Sequence, residues 1–419
     1  MSIVKHSVFR YPLFLLFATL ITSSAYAQYS VQTEYKGAAL HFRNPGGFNL
    51  RIANTYTLDA ACFVPTFDAS KATIGEEPFQ INPYLGFTNI QTELSGSFNP
   101  RCGYQFHFNY ANGKIRLLNM LFDYRLSEHF KLAIGQMKVP GPMSKNYSTR
   151  SAMSMDTPLG LSLSSSRRFG LALYRTTNVS YAALGVYTVN LNNFSTYGLP
   201  EEPEVGVAGR YVYNLINRER ERLLLGGNIY WMRMANGYAT ETRSIGIETK
   251  TSKMRVVNYA LIDNTSQLNY GLELAYQRNK FLLTGEVLGS QFFRHVGFPS
   301  PQFMGWNVRA SYMLLGECRG YKSATGDFTS TPYQGKPAIE IGLRTSGIYH
   351  KAAPDIHHVA AMSFEVFANY WANSHLCLSV GADYLDHHKA YMGVYRVAPD
   401  SGFNGIDFVT LQSRLTVLF

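Results

Sequence analysis

The residues with the most evident chemistry in this sequence are basic side chains that interrupt apolar runs at alternate positions. Arg51, for instance, lies between Leu50 and Ile52. Guanidinium and ammonium groups bind phosphates and carboxylates through charge-assisted hydrogen bonds, so such residues are candidates for binding or guiding anions. On the runs of this chain they are Arg51, Arg101, Lys138, Arg168, Arg210, Arg309, Arg344 and Arg414.

Carboxylates interrupt other runs in the same way, as Glu365 does between Phe364 and Val366. If these runs enclose a channel, segregation of the two signs onto opposite walls would create a transverse field that selects anions, whereas pairing would leave an ordinary diffusion pore. The sequence leaves both arrangements open, because the acidic residues equal the basic ones at eight. They are Asp59, Glu93, Asp123, Glu273, Glu286, Glu340, Glu365 and Asp383.

A second basic group lies in the segment that follows Pro140. Lys145 and Arg150 are the only charged residues there before Asp156. They stand among polar residues, namely Ser144, Asn146, Tyr147, Ser148 and Thr149. A basic, hydroxyl-rich patch of this kind suits a phosphate or a carboxylate, and the alternative interpretation is a solvated outer loop.

Other clusters of charged residues and histidines give weaker predictions of function. The run Arg218–Arg222 alternates in sign and is typical of a solvated turn. His357-His358 and His387-His388 could bind a metal, but adjacent side chains on a strand or loop point apart. We find no H-E-x-x-H, G-x-S-x-G or phosphate-loop motif in the right context. We therefore predict neither a metal nor a cofactor.

The N-terminus has the organisation of a signal peptide. Lys5 and Arg10 form a positive n-region before an apolar run at residues 11–21, and Ala25-Tyr26-Ala27 is an A-x-A cleavage site. That run is shorter than the ~20 residues of a membrane-spanning helix. We predict a cleaved signal peptide over residues 1–27 and one domain over residues 28–419. Loss of two basic residues and no acidic one lowers the net charge from +10 to +8.

Composition and cysteine usage fit an exported protein. The chain contains 29 tyrosines and 27 phenylalanines, which favours the aromatic girdles of an outer-membrane barrel over a soluble core. An oxidising compartment permits a disulfide, but the spacing assigns none, and four free thiols are the alternative. The cysteines are Cys62, Cys102, Cys318 and Cys377.

The elements that must position these side chains are alternating strands. The last one, Asp407 to Phe419, places Val409, Leu411 and Leu415 on one face and polar residues on the other, as in a barrel strand between lipid and a wet interior. Sixteen runs have this pattern, which predicts an all-β, transmembrane antiparallel β-barrel. They are 49–63, 87–98, 101–112, 114–127, 129–139, 167–176, 178–190, 205–215, 222–235, 267–278, 280–292, 302–315, 336–348, 359–371, 375–387 and 407–419.

The connections between these runs support the barrel, because long and short ones alternate as outer loops and periplasmic turns do. Two depart from the alternation. Residue 113 alone is too short for an outer loop, and 316–335 is too long for a turn. A charged side chain that faces lipid at mid-membrane costs roughly 2–4 kcal/mol, so charges on the strands are predicted to face the lumen.

The anomalous connection also carries a family resemblance. The stretch Gly305 to Phe328, GWNVRASYMLLGECRGYKSATGDF, resembles the L-T-G-E-x-R-x-Y element of the phosphate-selective porin O/P family, with Leu315 in place of the usual Thr. The matching residues are Leu314, Gly316, Glu317, Arg319 and Tyr321. Further segments are similar to other elements of the family: Leu132 to Pro140, the Arg-rich strand start at Arg167, Arg168 and Gly170, the Glu-containing strand pair Tyr270 to Gly289, and Asp407 to Phe419.

This resemblance implies a sixteen-stranded, homotrimeric barrel in the outer membrane of a Gram-negative bacterium. It also implies a loop folded into the pore after the fifth strand, which would be Pro140 to Ser166 here. A passive channel for small solutes, with anions such as phosphate preferred, is the expected function. Its positive charge is expected to meet anionic lipopolysaccharide, and nucleic acid is excluded as a partner by the compartment.

Two other functions remain open on the sequence. A structural or interaction barrel would bind one partner and conduct nothing. A lipid hydrolase of the outer membrane would need a nucleophile beside His387 or His388, and the sequence places none there.

Overall fold

The computed structural model describes residues 31–66, 72–74, 77–78, 82–151, 153–193, 202–237, 239–246, 249, 251–252, 255–328, 332–350, 359–386, 395–397 and 407–419. The predicted signal peptide lies outside the described residues, and so do His357, His358, His387 and His388. In the described part of the chain, no helix is long and apolar enough to cross a membrane.

Sixteen long strands, labelled β1–β16 here, form one sheet. Their bounds are β1 Asn49–Pro65, β2 Tyr84–Ser97, β3 Cys102–Asn109, β4 Arg116–Arg125, β5 Phe130–Lys138, β6 Arg167–Thr176, β7 Ser180–Tyr187, β8 Val205–Asn217, β9 Glu221–Arg233, β10 Arg255–Arg278, β11 Phe281–Arg294, β12 Gln302–Leu315, β13 Ala338–His350, β14 Val359–Trp371, β15 Leu376–Asp386 and β16 Phe408–Leu418.

The sheet closes on itself as an antiparallel barrel. Each strand pairs with the next in the chain, and β16 pairs with β1, where Arg414 is opposite Asp59. The predicted sixteen-stranded barrel is therefore confirmed, and β6, β12 and β14 begin and end at the predicted residues. The largest difference is at β10, which starts at Arg255 rather than at residue 267 because it extends to pair with Ala239–Gly246.

Side chains alternate between the two faces of the barrel wall. Leu272 and Val287 point outward and are 73% and 50% exposed, whereas the neighbouring Glu273 and Glu286 point inward and are buried. The outer wall is thus apolar along the strands, as contact with lipid requires, and each of the sixteen strands β1–β16 is paired with a neighbour on both sides, as a spanning sheet also requires.

The two ends of the barrel differ in their connections. The short-turn end carries the turns 98–101, 126–129, 177–179, 218–220, 279–280 and 372–375, together with the longer connection 316–337. The opposite, long-loop end carries the remaining connections, and its shortest is the six-residue connection 110–115, which includes a 3₁₀ turn. The long connection 316–337 is present as predicted, but the one-residue connection at 113 was wrong, because the flanking strands end at Asn109 and begin at Arg116.

Three segments fold inward and fill much of the lumen. The pore loop, residues 139–166, enters from the long-loop end after β5, as predicted. The inward segment, residues 316–328, enters from the short-turn end. An N-terminal hairpin, Gln32–Tyr35 with Leu40–Arg43, pairs with the first residues of β1 and closes part of the short-turn end.

One side of the lumen differs from the polar interior that we predicted. Inward residues of β6–β9 are largely apolar and pack in two clusters, one around Met137 and Tyr230 and the other around Val212 and Phe328. Apolar side chains are stable there because the inserted segments replace water as their neighbours. The four cysteines, all of which are described, are free thiols.

Candidate pore constriction

The start of the pore loop is held by two glutamates on the opposite wall. The amide of Met143 donates a hydrogen bond to Glu273 Oε2 at 2.7 Å, and the amide of Ser144 donates one to Glu286 Oε1 at 2.9 Å. These amides lie in the first turn of the short helix Met143–Asn146, where carboxylates compensate unpaired N–H groups. Glu273 and Glu286 are the two strand glutamates of the family resemblance.

The remainder of the pore loop is attached to β12–β16. Leu159 N donates to Ser346 Oγ at 3.0 Å, and Asn369 Nδ2 donates to the Met153 carbonyl at 2.7 Å. Gln412 of β16 donates to the carboxylate of Asp156. The loop therefore crosses the lumen from β5 to the far wall and narrows it.

A cavity of about 190 Å³ lies between this loop and the wall. Three basic residues, one carboxylate and several hydroxyl groups line it, which is the composition of an anion site. Its lining residues are Ser144, Lys145, Tyr147, Ser148, Thr149, Met153, Ser154, Met155, Asp156, Thr157, Pro158, Leu161, Arg309 and Arg414.

Arg309 is the unusual member of this cavity because its hydrogen-bond partners are neutral. It is only 3% exposed, and its guanidinium donates to Ser154 Oγ at 3.1 Å and to Met153 Sδ at 3.3 Å. The ring of Tyr147 lies 5.7 Å from its Cζ, and its Nε has no hydrogen-bond partner. A buried guanidinium held this way retains both charge and donor capacity for a ligand.

Tyr147 provides a neutral hydroxyl beside this guanidinium. Burial raises the pKa of Tyr147, and the nearby charge of Arg309 lowers it by less, so the phenol stays protonated. A protonated phenol can donate a hydrogen bond to an anion.

Most of the other predicted arginines are neutralised by a carboxylate. Arg344 bonds to Glu365 at 2.6 Å and Arg210 to Glu273 at 2.7 Å, and all four side chains are fully buried. Arg51 bonds to Glu93 at 2.9 Å, and Arg168 contacts Glu204. Arg414, which lines the cavity, forms a bidentate pair with Asp59. These basic residues therefore form ion pairs with acidic residues, and the two signs are not segregated onto opposite walls.

The remaining predicted basic residues have different surroundings. Lys138 donates to the carbonyls of Asn146 and Tyr147 at 2.9 and 3.2 Å and so supports the pore loop. Lys145 lines the cavity. Arg101, which we assigned to the lumen, lies instead in the exposed turn before β3, because β3 begins one residue later than predicted.

Arg150 joins the pore loop to the N-terminal hairpin. It donates to the carbonyls of Ala38 and Asn54, both at 2.8 Å, and to Thr55 Oγ1 at 3.2 Å. Its pKa is lowered to about 10, mainly by burial and also by the nearby Arg51, while Glu93 opposes this change. Its partners are neutral acceptors, so Arg150 keeps a positive charge at neutral pH.

The inward segment, which enters from the short-turn end, contacts the lumen wall at β8 and β13. Arg319 forms a bidentate ion pair with Glu340, at 2.9 and 2.6 Å, and the pair outweighs the effect of burial, so the pKa of Arg319 lies above its ordinary value. Arg210 donates to the carbonyls of Thr325 and Gly326. We did not predict these lumen contacts, because Arg319 is not on a strand; its only signal was the family element.

One sector of the lumen wall remains partly exposed. On β2–β4, inward Glu93, Gln105, His107 and Asn119 are all of intermediate exposure, unlike the buried inward residues of β12–β16. Near His107 lie basic groups that interact with it electrostatically, namely Arg167, Lys138 and Arg150. Arg167 was absent from the predicted candidates, although it begins β6. This sector therefore combines exposure with positive charge.

A closed sixteen-stranded barrel with an apolar outer wall and a loop across its lumen is the architecture of an outer-membrane porin. The family model of phosphate-selective porin O and P matches residues 82–401, which is most of the chain. The chain belongs to the phosphate-selective porin O and P family. A comparison with curated protein sequences gives no match.

Solved structures agree on the fold at low sequence identity. An anion-selective porin from Comamonas acidovorans is 12% identical with a TM-score of 0.56, covering 88% of this chain and 99% of that one. The outer membrane channel DcaP of Acinetobacter baumannii is 9% identical with a TM-score of 0.53, covering 90% and 99%. A trimer form of OmpT from Vibrio cholerae is 8% identical with a TM-score of 0.52, covering 88% and 99%.

Proposed function

We propose that this porin conducts small anions, phosphate among them, and that they bind transiently in the cavity beside Arg309. The observation that carries the proposal is the buried guanidinium of Arg309, whose hydrogen-bond partners are neutral. Glu286 and Glu365 interact electrostatically with this buried charge, and an anion that enters the cavity would add a counter-charge in direct contact with the guanidinium. The other predicted arginines favour anions less, because carboxylates already neutralise several of them.

The surroundings of Arg309 suit an oxyanion in particular. Lys145 supplies a second positive charge, and Ser148 and Thr149 supply hydroxyl donors around the same cavity. Several donors of fixed position can replace the water around a dehydrated phosphate or carboxylate. Asp156 works against tight binding, which favours release, and conduction requires that a bound ion can leave.

The path to this cavity passes the partly exposed wall of β2–β4. Arg150, Arg167 and Lys138 surround His107 there, while Glu93 is paired with Arg51. The excess of positive charge raises the local concentration of anions near the constriction. The family description and the name of the Comamonas acidovorans porin agree with this sign of selectivity.

The same proposal includes the export, the oligomeric state and the lipid contacts of the protein. Residues 1–27 are a signal peptide that is cleaved before the mature chain, 28–419, inserts into the outer membrane. The mature barrel forms a homotrimer, as the trimer form of the similar Vibrio cholerae protein suggests. Its long-loop end contacts lipopolysaccharide.

Reversal potentials in planar bilayers with asymmetric salt test the proposal. We expect the wild-type channel to prefer chloride to potassium and to show a current reduced by added phosphate. Arg309→Gln should lose most of the block by phosphate and shift the reversal potential toward the cation value. Arg175→Gln, which removes the same charge from an exposed end of β6, should leave both measurements unchanged.

Each other outcome excludes part of the proposal. Cation preference of the wild-type channel would overturn anion conduction, although the porin fold would stand. An unchanged phosphate block in Arg309→Gln would exclude the cavity as the binding site. Absence of any conductance from folded protein would favour the alternative of an occluded interaction barrel.

A further inference from the structure

A second cavity lies outside the lumen, on the outer wall at the short-turn end. Its volume is about 590 Å³. Basic groups and aromatic rings both contribute to it, and a single carboxylate is present. Its lining residues are Arg220, Tyr276, Arg278, Asn279, Lys280, Phe281, Tyr312, Glu317 and Cys318.

The alternating run Arg218–Arg222 contributes to this cavity, and its three arginines have different surroundings. Arg218 pairs with Glu221 at 3.4 Å, and Glu221 also accepts a hydrogen bond from Tyr276 at 3.2 Å. Arg222 turns the other way, with its Cζ 4.0 Å from the ring of Tyr321. Of the three arginines in the run, Arg220 is the one that lines the cavity.

Contact between two neighbouring turns fixes the basic groups beside one another. The amide of Asn279 donates to the carbonyl of Arg220 at 2.7 Å, and Asn279 adopts the left-handed conformation, with φ of 51°, that this tight turn requires. Arg278 and Lys280 flank Asn279 directly. Three positive charges from two turns therefore converge on one cavity, and Glu317 is the single carboxylate among its lining residues.

We propose that this cavity binds the phosphate headgroup of an anionic phospholipid from the periplasmic leaflet of the outer membrane. Arg220, Arg278 and Lys280 hold the phosphodiester through charge-assisted hydrogen bonds. Phe281 and Tyr312, which point outward and are 36% and 46% exposed, contact the upper part of the acyl chains. A site that is charged toward water and aromatic toward the membrane complements an amphipathic lipid better than a free anion.

The position of the cavity selects the leaflet. Short turns of outer-membrane barrels face the periplasm, so the cavity meets the phospholipid leaflet rather than the lipopolysaccharide leaflet. The site is separate from the pore: its cavity and the one beside Arg309 share no lining residue. Failure of lipid binding would thus leave the proposed anion conduction unaffected, and failure of anion conduction would leave the lipid site intact.

Native mass spectrometry of the whole detergent-solubilised protein with added phosphatidylglycerol tests the site. The variant combines Arg220→Gln, Arg278→Gln and Lys280→Gln. The control combines Arg101→Gln, Arg125→Gln and Arg175→Gln, which removes three exposed charges from the same end of the barrel. Both variants are first shown to be folded by the heat-dependent mobility of the barrel on gels.

We expect the wild type and the control to retain phosphatidylglycerol, and the triple variant to lose at least about tenfold in apparent affinity, which corresponds to about 1.4 kcal/mol. Equal retention by the triple variant would overturn the proposal, as would an equal loss in the control. Displacement of the lipid by inorganic phosphate as readily as by phosphatidylglycerol would also overturn it, because the site would then recognise a free anion.

Discussion

The buried lumen arginines differ in their bonding partners, and we expect only those without an ion pair to attract a solute anion. Arg344 is opposite Glu365 in the β13–β14 register, and their ion pair is completely buried. Arg309 is also buried but lines the cavity, and it is held by a hydroxyl, a thioether and an aromatic ring. Both residues are lumen arginines on strands, but Arg344 forms an ion pair, whereas the hydrogen bonds of Arg309 go to neutral groups.

Removal of one partner of the Arg344–Glu365 pair should destabilise the barrel strongly. Glu365→Gln leaves a buried guanidinium without its counter-charge, and such losses cost about 3–5 kcal/mol. Urea unfolding in lipid vesicles measures the change in the free energy of unfolding. Replacement of both residues by Leu removes both charges, so it should recover most of that loss. A double variant as unstable as Glu365→Gln would show that the pair itself is stabilising.

The sequence predicted which face carried the charges, but pairing depends on register and on strand proximity. Arg210 on β8 reaches Glu273 on β10, across the small residues of β9, and the two are 63 positions apart. Gly226 of β9 lies beneath Glu273, where an added Cβ would be 2.4 Å from the carboxylate oxygen Oε1. The alternation of inward and outward residues does not predict that Arg210 reaches over β9 to Glu273. The contact is possible because Gly226 has no side chain there.

At the level of elements, the pore loop packs backbone against backbone on the barrel wall. A Cβ added to Gly305 of β12 would lie 2.5 Å from the Cα of Gly160 in the loop. Glycine at both positions is what allows this close approach. The approach seats the loop beside Ser346, whose hydroxyl accepts the hydrogen bond from Leu159, so the contact fixes how far the loop crosses the lumen.

Gly305→Ala should therefore displace the pore loop. Overpacking of this kind costs about 1–3 kcal/mol, and the loop can move more easily than the paired strand. We expect a lower free energy of unfolding together with greater open-channel noise in single-channel recordings. Gly285→Ala is the matched control, because an added Cβ there meets no atom within 4 Å. Equal noise in both variants would show that the Gly305 contact does not position the loop.

Strand positions were predictable because lipid imposes one repeated constraint on every strand, whereas the filling of the lumen was not. Inward Ala208, Val212 and Leu224 broke the expected polar face of β8 and β9. Val212 and Leu224 pack in one cluster with Met143 of the pore loop and Phe328 of the inward segment, which are distant in sequence. The resemblance supplied the pore loop, but no pattern in 316–328 showed that this segment turns into the barrel.

For the whole molecule, the lumen divides into three sectors with different surroundings. The wall of β6–β9 is apolar and covered, the wall of β12–β16 is polar and buried beneath the pore loop, and the inward face of β2–β4 is polar and partly exposed. Solute is expected to follow the third sector and to meet the second at the cavity beside Arg309. The outer wall surrounds all three with one continuous apolar band.

Membrane insertion depends on this apolar band. Its contact with lipid can be tested, because the cost of an outward charge depends on its depth in the bilayer. Leu272 lies near the middle of the barrel wall, whereas Leu314 lies near the short-turn end; both point outward and are 73% and 54% exposed. An outward Arg costs about 2–4 kcal/mol at the bilayer midplane and about 0–1 kcal/mol near the interface, where the side chain reaches water. Leu272→Arg should thus lower the free energy of unfolding in vesicles much more than Leu314→Arg. Equal effects at the two depths would contradict the assignment of this surface to lipid, because only a hydrocarbon layer distinguishes two exposed leucines by their height.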